Sequence, residues 1–188
     1  PQCPAGLRQL KEPNGKISLD VFSMLLERLA PELQCLMHYS HGEPVLHPEI
    51  ISIVKIACDK NILTATSTNA HSLNPDTCAA IVSSGLHEIL ISLDGTDGPT
   101  YEKYRRGGDF ELAVSGIRNL TLARKQSQKP HPYIRLQFIV MKHNEQQIKE
   151  IKKLGKSLGV DKVELKTAKI NDPADPHDLL TNLRPFAR

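Results

Sequence analysis

The chain alternates between two hydrophobic periodicities, and this alternation restricts its fold more than any other feature. Five short apolar segments have the length and content of strands, and five longer segments place apolar residues at helical spacing. The predicted strands are residues 33–39, 62–67, 88–93, 133–141 and 160–166. The predicted helices are residues 19–30, 48–61, 75–84, 110–125 and 145–158. Repeated strand–helix–strand units predict an α/β protein with a parallel sheet, built from 188 residues as one core.

Two architectures satisfy this order of elements, a doubly wound sheet and a (β/α) barrel. No glycine fingerprint follows the first strand, which argues against a dinucleotide-binding sheet. Polar residues instead follow nearly every strand: His41-Gly42-Glu43, Thr68-Asn69, Ser92 and Asp94, His143-Asn144, and Lys166. Barrel enzymes build their sites at this end of the strands, so the barrel is the favoured prediction.

The remaining segments are expected to be irregular. Residues 95–109 are predicted as a glycine-rich loop, and residues from Asn171 onward as a turn-forming tail. Residues 33–39 are expected to form a buried strand. Three cysteines, Cys35, Cys58 and Cys78, lie in apolar segments without a CxxC pair, and we expect each to be a reduced, buried thiol.

Composition excludes several classes of protein. There are 24 Lys and Arg against 21 Asp and Glu, and this net charge of +3 is too small and too scattered to indicate nucleic-acid binding. No apolar stretch approaches the ~18 residues of a membrane span. We therefore expect a cytoplasmic protein with neither a nucleic acid nor a membrane as partner.

The polar groups after the strands suggest a class of ligand. Glu43, the pair Thr68 and Asn69, the pair Ser92 and Asp94, and Arg105 supply carboxylates, a hydroxyl–amide pair and a cation. Together they could hold a ligand that has an ammonium, a carboxylate and a ribose. Neither a nucleophile triad nor a phosphate-binding loop is evident.

These motifs, taken in order, resemble the radical S-adenosylmethionine (radical SAM) family. Pro1-Gln2-Cys3-Pro4 is similar to the end of its CxxxCxxC cluster motif, and His41-Gly42-Glu43-Pro44 to its GGEP loop. Four further segments resemble later motifs of the family: TSTN (66–69), ISLDG (91–95), YRRGGDFE (104–111) and FIVMKHN (138–144). Within this family, the chain most resembles the SPASM-type enzymes, in which the core domain precedes a further Cys-rich region.

The resemblance implies a partial (β/α)6 TIM-like barrel that uses a 4Fe–4S cluster and S-adenosylmethionine. In such enzymes the reduced cluster cleaves the cofactor to a 5′-deoxyadenosyl radical, which abstracts a hydrogen from the substrate. Implied cofactor-binding residues are Gly42, Glu43, Pro44, Thr68, Asn69, Ser92, Asp94, Arg105, Gln137 and Lys166, and the implied metal ligand is Cys3. Implied partners are an electron donor such as flavodoxin or ferredoxin and a peptide, protein or small-metabolite substrate.

The sequence departs from the family pattern at both ends. Only Cys3 of the three cluster cysteines is present, so we expect residues 1–170 to be a core that lacks its first strand and is inactive alone. Residues 171–188 are expected to be a linker toward a Cys-rich region. His41 stands where the family usually has Gly. One alternative is a degenerate, cluster-free barrel that serves as a binding or scaffold module, and a weaker one is a sugar- or phosphate-processing barrel.

Overall fold

A computed structural model describes residues 15–169 and 178–186 of the chain. It contains five strands: β1 (Cys35–Met37), β2 (Leu63–Thr68), β3 (Glu88–Ser92), β4 (Tyr133–Val140) and β5 (Lys162–Thr167). It contains six α-helices: α1 (Leu19–Leu29), α2 (Ile50–Asp59), α3 (Pro75–Ser83), α4 (Gly98–Tyr104), α5 (Phe110–Gln126) and α6 (Ile148–Leu158). Short 3-10 turns at Pro44–Leu46 and Glu145–Gln147 precede α2 and α6.

Short polar side chains set the beginnings of four helices. Ser18, Asn74, Asp97 and Asp109 each accept a hydrogen bond from the backbone N–H three residues later. Each bond satisfies one of the N–H groups that a helix leaves unpaired at its first turn. The end of α6 is set by Gly159, whose φ of 75° is the left-handed conformation that glycine adopts at little cost.

The five strands form one parallel sheet in the order β1-β2-β3-β4-β5, and the sheet is not closed. Helices α2 to α6 pack on one face of it, and α1 packs beside α2 at its edge. The main core lies between that face and the helices, where Ile89 and Ile91 of β3 and Ile134, Leu136 and Phe138 of β4 are fully buried. The α/β prediction, with parallel strands in an incomplete barrel, is therefore confirmed.

Three local expectations are wrong. Residues 95–109 contain α4, which begins at the cap Asp97 with Pro99 in its first turn, a signal that the glycines around it obscured. The strand around Leu36 is not buried, because β1 pairs only with β2 in the part of the chain that is described, and Met37 is 63% exposed. Cys35 is consequently exposed, Cys58 is half-buried, and only Cys78 matches the expected buried thiol.

Residues 178–186 have no helix or strand, as expected, yet they pack on the domain. Leu179 and Thr181 are buried, and Leu179 contacts Met141 and Ala168. The backbone of Lys142 donates to the Leu179 carbonyl, and the Thr181 hydroxyl donates to Glu145. Whether residues 171–188 act as a linker stays a prediction, and residues 170–177 lie outside those described.

Candidate functional site

The sheet has a face without helices, and the register of the strands tells which side chains lie on it. Residues that are paired in a parallel ladder lie on the same face of the sheet. The buried strand residues face the core, so the half-buried and exposed residues that alternate with them lie on the other face, which we call the inner face. Ser92, Gln137 and Glu164 form one row across β3, β4 and β5. Arg135 is paired with Leu90 and Lys162. It lies on the same face two residues before Gln137, which places it about 7 Å closer to the amino ends of the strands. The carboxyl ends of the strands form the rim above these rows.

The loop after β1 contains the first predicted site residues. Gly42 has a φ of 83°, a left-handed conformation that explains glycine at this position. Glu43 caps the 3-10 turn that begins with Pro44, and its Oε1 accepts from the Val45 N–H. A cleft of about 700 Å³ opens beside this loop.

Glu43 also ties this loop to the end of β2. Its Oε2 accepts a hydrogen bond of 2.7 Å from the backbone N–H of Asn69. The Asn69 side chain in turn accepts from the N–H of His71, which orders the turn that follows the strand. The structure thus brings Glu43 and Asn69 together at the rim, as the sequence predicted.

Thr68 lies on the other face from the one predicted for a ligand-binding residue. It pairs in register with the core residue Ile91, is buried, and accepts a hydrogen bond from the N–H of Ala70 through its hydroxyl. Ala70 has a φ of 68°, which costs a non-glycine residue about 1–2 kcal/mol. Strain of this kind persists only where neighbouring bonds impose it. Thr68 therefore shapes the turn, and Ser67 is the β2 residue on the inner face.

Asp94 and Arg105, predicted to bind separate parts of a ligand, bind each other. Asp94 is fully buried, and its Oδ2 accepts from Nε of Arg105 at 2.7 Å, while Arg105 NH2 lies 2.7 Å from the same oxygen. The Asp94 Oδ1 accepts from the Ile139 N–H. Burial lowers the pKa of Arg105, but the charge and hydrogen bond of Asp94 outweigh it and hold the pKa above its ordinary value. One guanidinium nitrogen, NH1, is left for a ligand among the described residues.

Ser92, Gln137 and Lys166 lie on the inner face at or next to the rim. Ser92 and Gln137 are register partners, and neither side chain has a hydrogen bond within the described ranges. Such half-buried, unpaired polar groups suit a polar ligand. The Lys166 ammonium lies 3.3 Å from Oε1 of Glu164, so it is part of a charge pair.

Sequence reasoning missed two kinds of residue. Asn144 was noted only as a polar residue after a strand, but it is fully buried and donates to the carbonyls of Asp94 and Ile139. Arg135, Glu88 and Glu164 form ion pairs on the inner face. Alternation of polar and apolar residues over positions 134–138 and 162–166 was the signal that could have placed Arg135 and Glu164 on the inner face, although it does not show which charges pair.

Comparison with known protein families identifies the family to which this chain belongs. The model of the Radical SAM superfamily matches residues 3–155. The chain belongs to the radical SAM superfamily. Two curated relatives share this core: an AdoMet-dependent heme synthase of Methanosarcina barkeri, 25% identical over 148 residues, and the mycofactocin maturase MftC of Mycobacterium ulcerans, 24% identical over 177 residues. They are enzymes, as the chain's resemblance to the family implied.

The matches cover most of this chain but less than half of each relative. The chain is covered over 78% and 94% of its length, whereas it spans only 40% of the heme synthase and 46% of the maturase. Among solved structures, SuiB of Streptococcus suis bound to S-adenosylmethionine is similar with a TM-score of 0.69 at 13% identity, covering 90% of this chain and 37% of SuiB. The same protein bound to its precursor peptide SuiA gives a TM-score of 0.66 at 14% identity, covering 84% and 34%. These similarities agree with the partial barrel.

The family implies S-adenosylmethionine and a 4Fe–4S cluster, and the two groups fit the described residues differently. The free hydroxyl and amide of Ser92 and Gln137, together with the exposed edge of Arg105, suit a polar cofactor at the rim. Cys3 lies outside the described residues. Within the described ranges no three His, Cys, Asp or Glu side chains are grouped as metal ligands. The same residues contain no helix long and apolar enough to cross a bilayer.

Proposed function

We propose that the protein is a radical SAM enzyme that modifies a peptide, using S-adenosylmethionine bound at the carboxyl rim of the sheet. When bound, the cofactor and its cluster supply a one-electron cleavage to methionine and a 5′-deoxyadenosyl radical, which takes a hydrogen atom from the substrate. The observation that carries the proposal is the polar rim, with unpaired Ser92 and Gln137 beside the Asp94–Arg105 pair, in a chain whose family is known.

Each rim residue has a proposed task that its chemistry suits. The loop of Gly42, Glu43 and Pro44, joined to Asn69, would accept from the methionine ammonium. The free edge of Arg105 would pair with the methionine carboxylate, because a guanidinium fork matches a carboxylate. Ser92 and Gln137 would bind the ribose and adenine. Asp94 and Thr68 would act by positioning, Asp94 by holding Arg105 and Thr68 by shaping the turn, while Lys166 would close the site from β5.

The substrate class is supported by the named relatives. One relative is named as a maturase, and SuiB was solved bound to the precursor peptide SuiA. We extend this to a SPASM-type enzyme whose cluster is held by Cys3 and two further cysteines and is reduced by a flavodoxin or ferredoxin. On this proposal residues 1–170 are the core and 171–188 a linker, and the described core alone is inactive.

The test uses the full-length protein, reconstituted anaerobically with iron and sulfide. Bound iron is counted, and 5′-deoxyadenosine is measured after addition of dithionite and S-adenosylmethionine. We expect product from the wild type, none from Cys3→Ala, and wild-type iron and product from Cys35→Ala, since Cys35 is exposed on β1 away from the rim. Ser92→Ala and Gln137→Leu are expected to keep iron while weakening cofactor binding.

A wild-type protein that binds no iron and forms no 5′-deoxyadenosine would contradict the proposal. It would instead favour the degenerate barrel that serves as a scaffold. A Cys3→Ala variant with normal iron content and normal 5′-deoxyadenosine formation would show that Cys3 is not a ligand of the cluster.

A further inference from the structure

Five charged side chains lie together on the inner face, next to the proposed cofactor position. We call them the inner charge cluster: Glu88, Arg135, Lys162, Glu164 and Lys166. Arg135 is their centre, because its NH2 lies 2.7 Å from Glu88 and its NH1 lies 3.3 Å from Glu164. Lys162 is the register partner of Arg135, and Lys166 pairs with Glu164. The cluster therefore spans β3, β4 and β5: Glu88, Arg135 and Lys162 lie on the amino side of the row of Ser92 and Gln137, Glu164 lies in that row, and Lys166 lies at the rim.

The cluster has one more positive charge than negative charge. Three cations face two carboxylates, and Lys162 has no ion pair within the described ranges. The side chains of Arg135, Glu88 and Glu164 are each about a quarter exposed, so a ligand on the inner face can reach them. The Nε of Arg135 is buried without a hydrogen-bond partner among the described residues. An unsatisfied buried donor is unfavourable, and a purely structural ion pair would not need to retain one.

The other half of the inner face is apolar. Met37 of β1 and Leu63 of β2 lie on it, and they are 63% and 53% exposed. The inner-face residues between them and the cluster are Ala65 and Ser67 of β2 and Leu90 of β3. A ligand lying across the strands would therefore meet apolar groups on one side and a net positive charge on the other.

We propose that this face recognises a peptide in which an acidic side chain lies next to an apolar one. The acidic group lies against Arg135 and Lys162, and the apolar side chain lies against Met37 and Leu63. This inference rests on the proposed function, since it assigns the peptide's chemistry to the surface beneath the cofactor rim. Specificity arises because a neutral or cationic side chain at the same place leaves the excess positive charge unpaired or repelled.

The experiment measures fluorescence anisotropy of labelled decapeptides binding to the full-length protein at low salt. The peptides have a Gly-Ser background with one central pair, which is Leu-Glu, Leu-Gln or Leu-Lys. We expect Leu-Glu to bind about fivefold more tightly than Leu-Gln, with a preference that declines as salt screens the charges. Lys162→Gln is expected to remove most of this preference. Arg135→Gln is expected to reverse it in favour of Leu-Lys, because Glu88 and Glu164 then face the peptide without their cation.

The matched control is Lys152→Gln, an exposed lysine on the outer side of α6 that changes the net charge equally. Equal binding of the Leu-Glu and Leu-Gln peptides by the wild type would overturn the inference, as would an equal loss of preference in Lys152→Gln. Thermal unfolding identifies any variant that fails to fold. If Arg135→Gln fails to fold, Lys162→Gln still tests the inference, because Lys162 is exposed and its replacement does not disturb the core. The 5′-deoxyadenosine assay on the same preparations distinguishes the two proposals. Product without a peptide preference contradicts this inference alone, whereas absence of product contradicts the proposed function.

Discussion

Asp94 joins three parts of the molecule through one buried side chain. Its carboxylate accepts from Arg105 on the loop after α4 and from the backbone of Ile139 on β4, and its own carbonyl accepts from Asn144. A fully buried carboxylate is stable only when it is paired and hydrogen-bonded, and Asp94 meets both conditions. The residue therefore fixes the position of Arg105 at the rim.

Replacing Asp94 by Asn is expected to destabilise the protein by about 3 kcal/mol, because Arg105 then loses its counter-charge in a partly buried position. Urea denaturation measures this loss. The control is Lys55→Gln, which breaks an exposed ion pair with Asp59 whose side chains are both 61% exposed. That pair contributes about 0.3–0.5 kcal/mol at most. Equal losses in the two variants would show that the Asp94 pair contributes no more than a surface pair.

His38 gives the protein an acid-dependent stability. Burial lowers the pKa of His38 from 6.5 to about 4, and its Nε2 is buried without a partner in the described residues. The folded state thus favours the neutral ring, so stability is complete above pH 6.5 and falls as pH drops from 6.5 toward 4. At 1.36 kcal/mol for each pH unit, the loss is at most about 3 kcal/mol.

Urea midpoints between pH 7.5 and pH 4 test this expectation, with His38→Leu as the variant. The variant should lose less stability on acidification than the wild type. A smaller slope should remain, because burial and the charge of His131 also lower the pKa of His87. An unchanged slope in His38→Leu would contradict the assignment to His38.

At the scale of elements, α5 lies unusually close to the turn after β2. A Cβ built on Gly116 of α5 would lie 2.2 Å from the carbonyl oxygen of Ala70 and 3.0 Å from Cβ of Leu73. The Asn119 side chain on the same helix donates to the Leu73 carbonyl. The helix therefore supports the strained turn that carries Asn69, and this approach requires glycine.

Gly116→Ala should lower the free energy of unfolding by about 2 kcal/mol, because overpacking against backbone outweighs the gain in helix propensity. The displaced turn should also weaken binding of S-adenosylmethionine. Chemical denaturation measures the first effect and isothermal titration the second. Gly98→Ala is the control, since its added Cβ meets nothing closer than a flexible Glu102 oxygen at 3.8 Å. A stabilised Gly116→Ala would refute the close approach.

At the scale of the whole molecule, the sheet is open, and one of its flanks is uncovered among the described residues. Within the described ranges β1 pairs only with β2, and Met37 and Leu63 add exposed apolar surface beside it. Exposed strand edges invite association unless charges block them. Sedimentation of this 188-residue chain should therefore show self-association at high micromolar concentration.

Met37→Lys is expected to weaken that association, because a lysine at a sheet edge opposes pairing. Leu122→Lys makes the same change at a similarly exposed residue on the outer side of α5, and it should leave association unchanged. Equal effects of both variants would indicate general hydrophobic association without a role for the edge.

The sequence by itself determined the order of the five strands and of every described helix except α4, together with most of the residues of the rim. All five strands were predicted because their β-branched and apolar residues act locally, and the helix cap at Asn74 is read from adjacent residues. The rim followed because parallel strands end at one edge, so Glu43, Asn69 and Ser92 could be placed together without any knowledge of register, whereas Gln137 was implied only by the resemblance to the family.

Only the tertiary structure decided which face each side chain takes and which charges pair. Thr68 and Ser67 are neighbours in sequence, and the packing of Thr68 with Ile91 against the helices alone places Ser67 on the inner face. Asp94 binds Arg105 eleven residues away, and Arg135 binds Glu88 forty-seven residues away. These pairs depend on strand register and loop closure, which arise from packing over the whole core, and no local pattern encodes them.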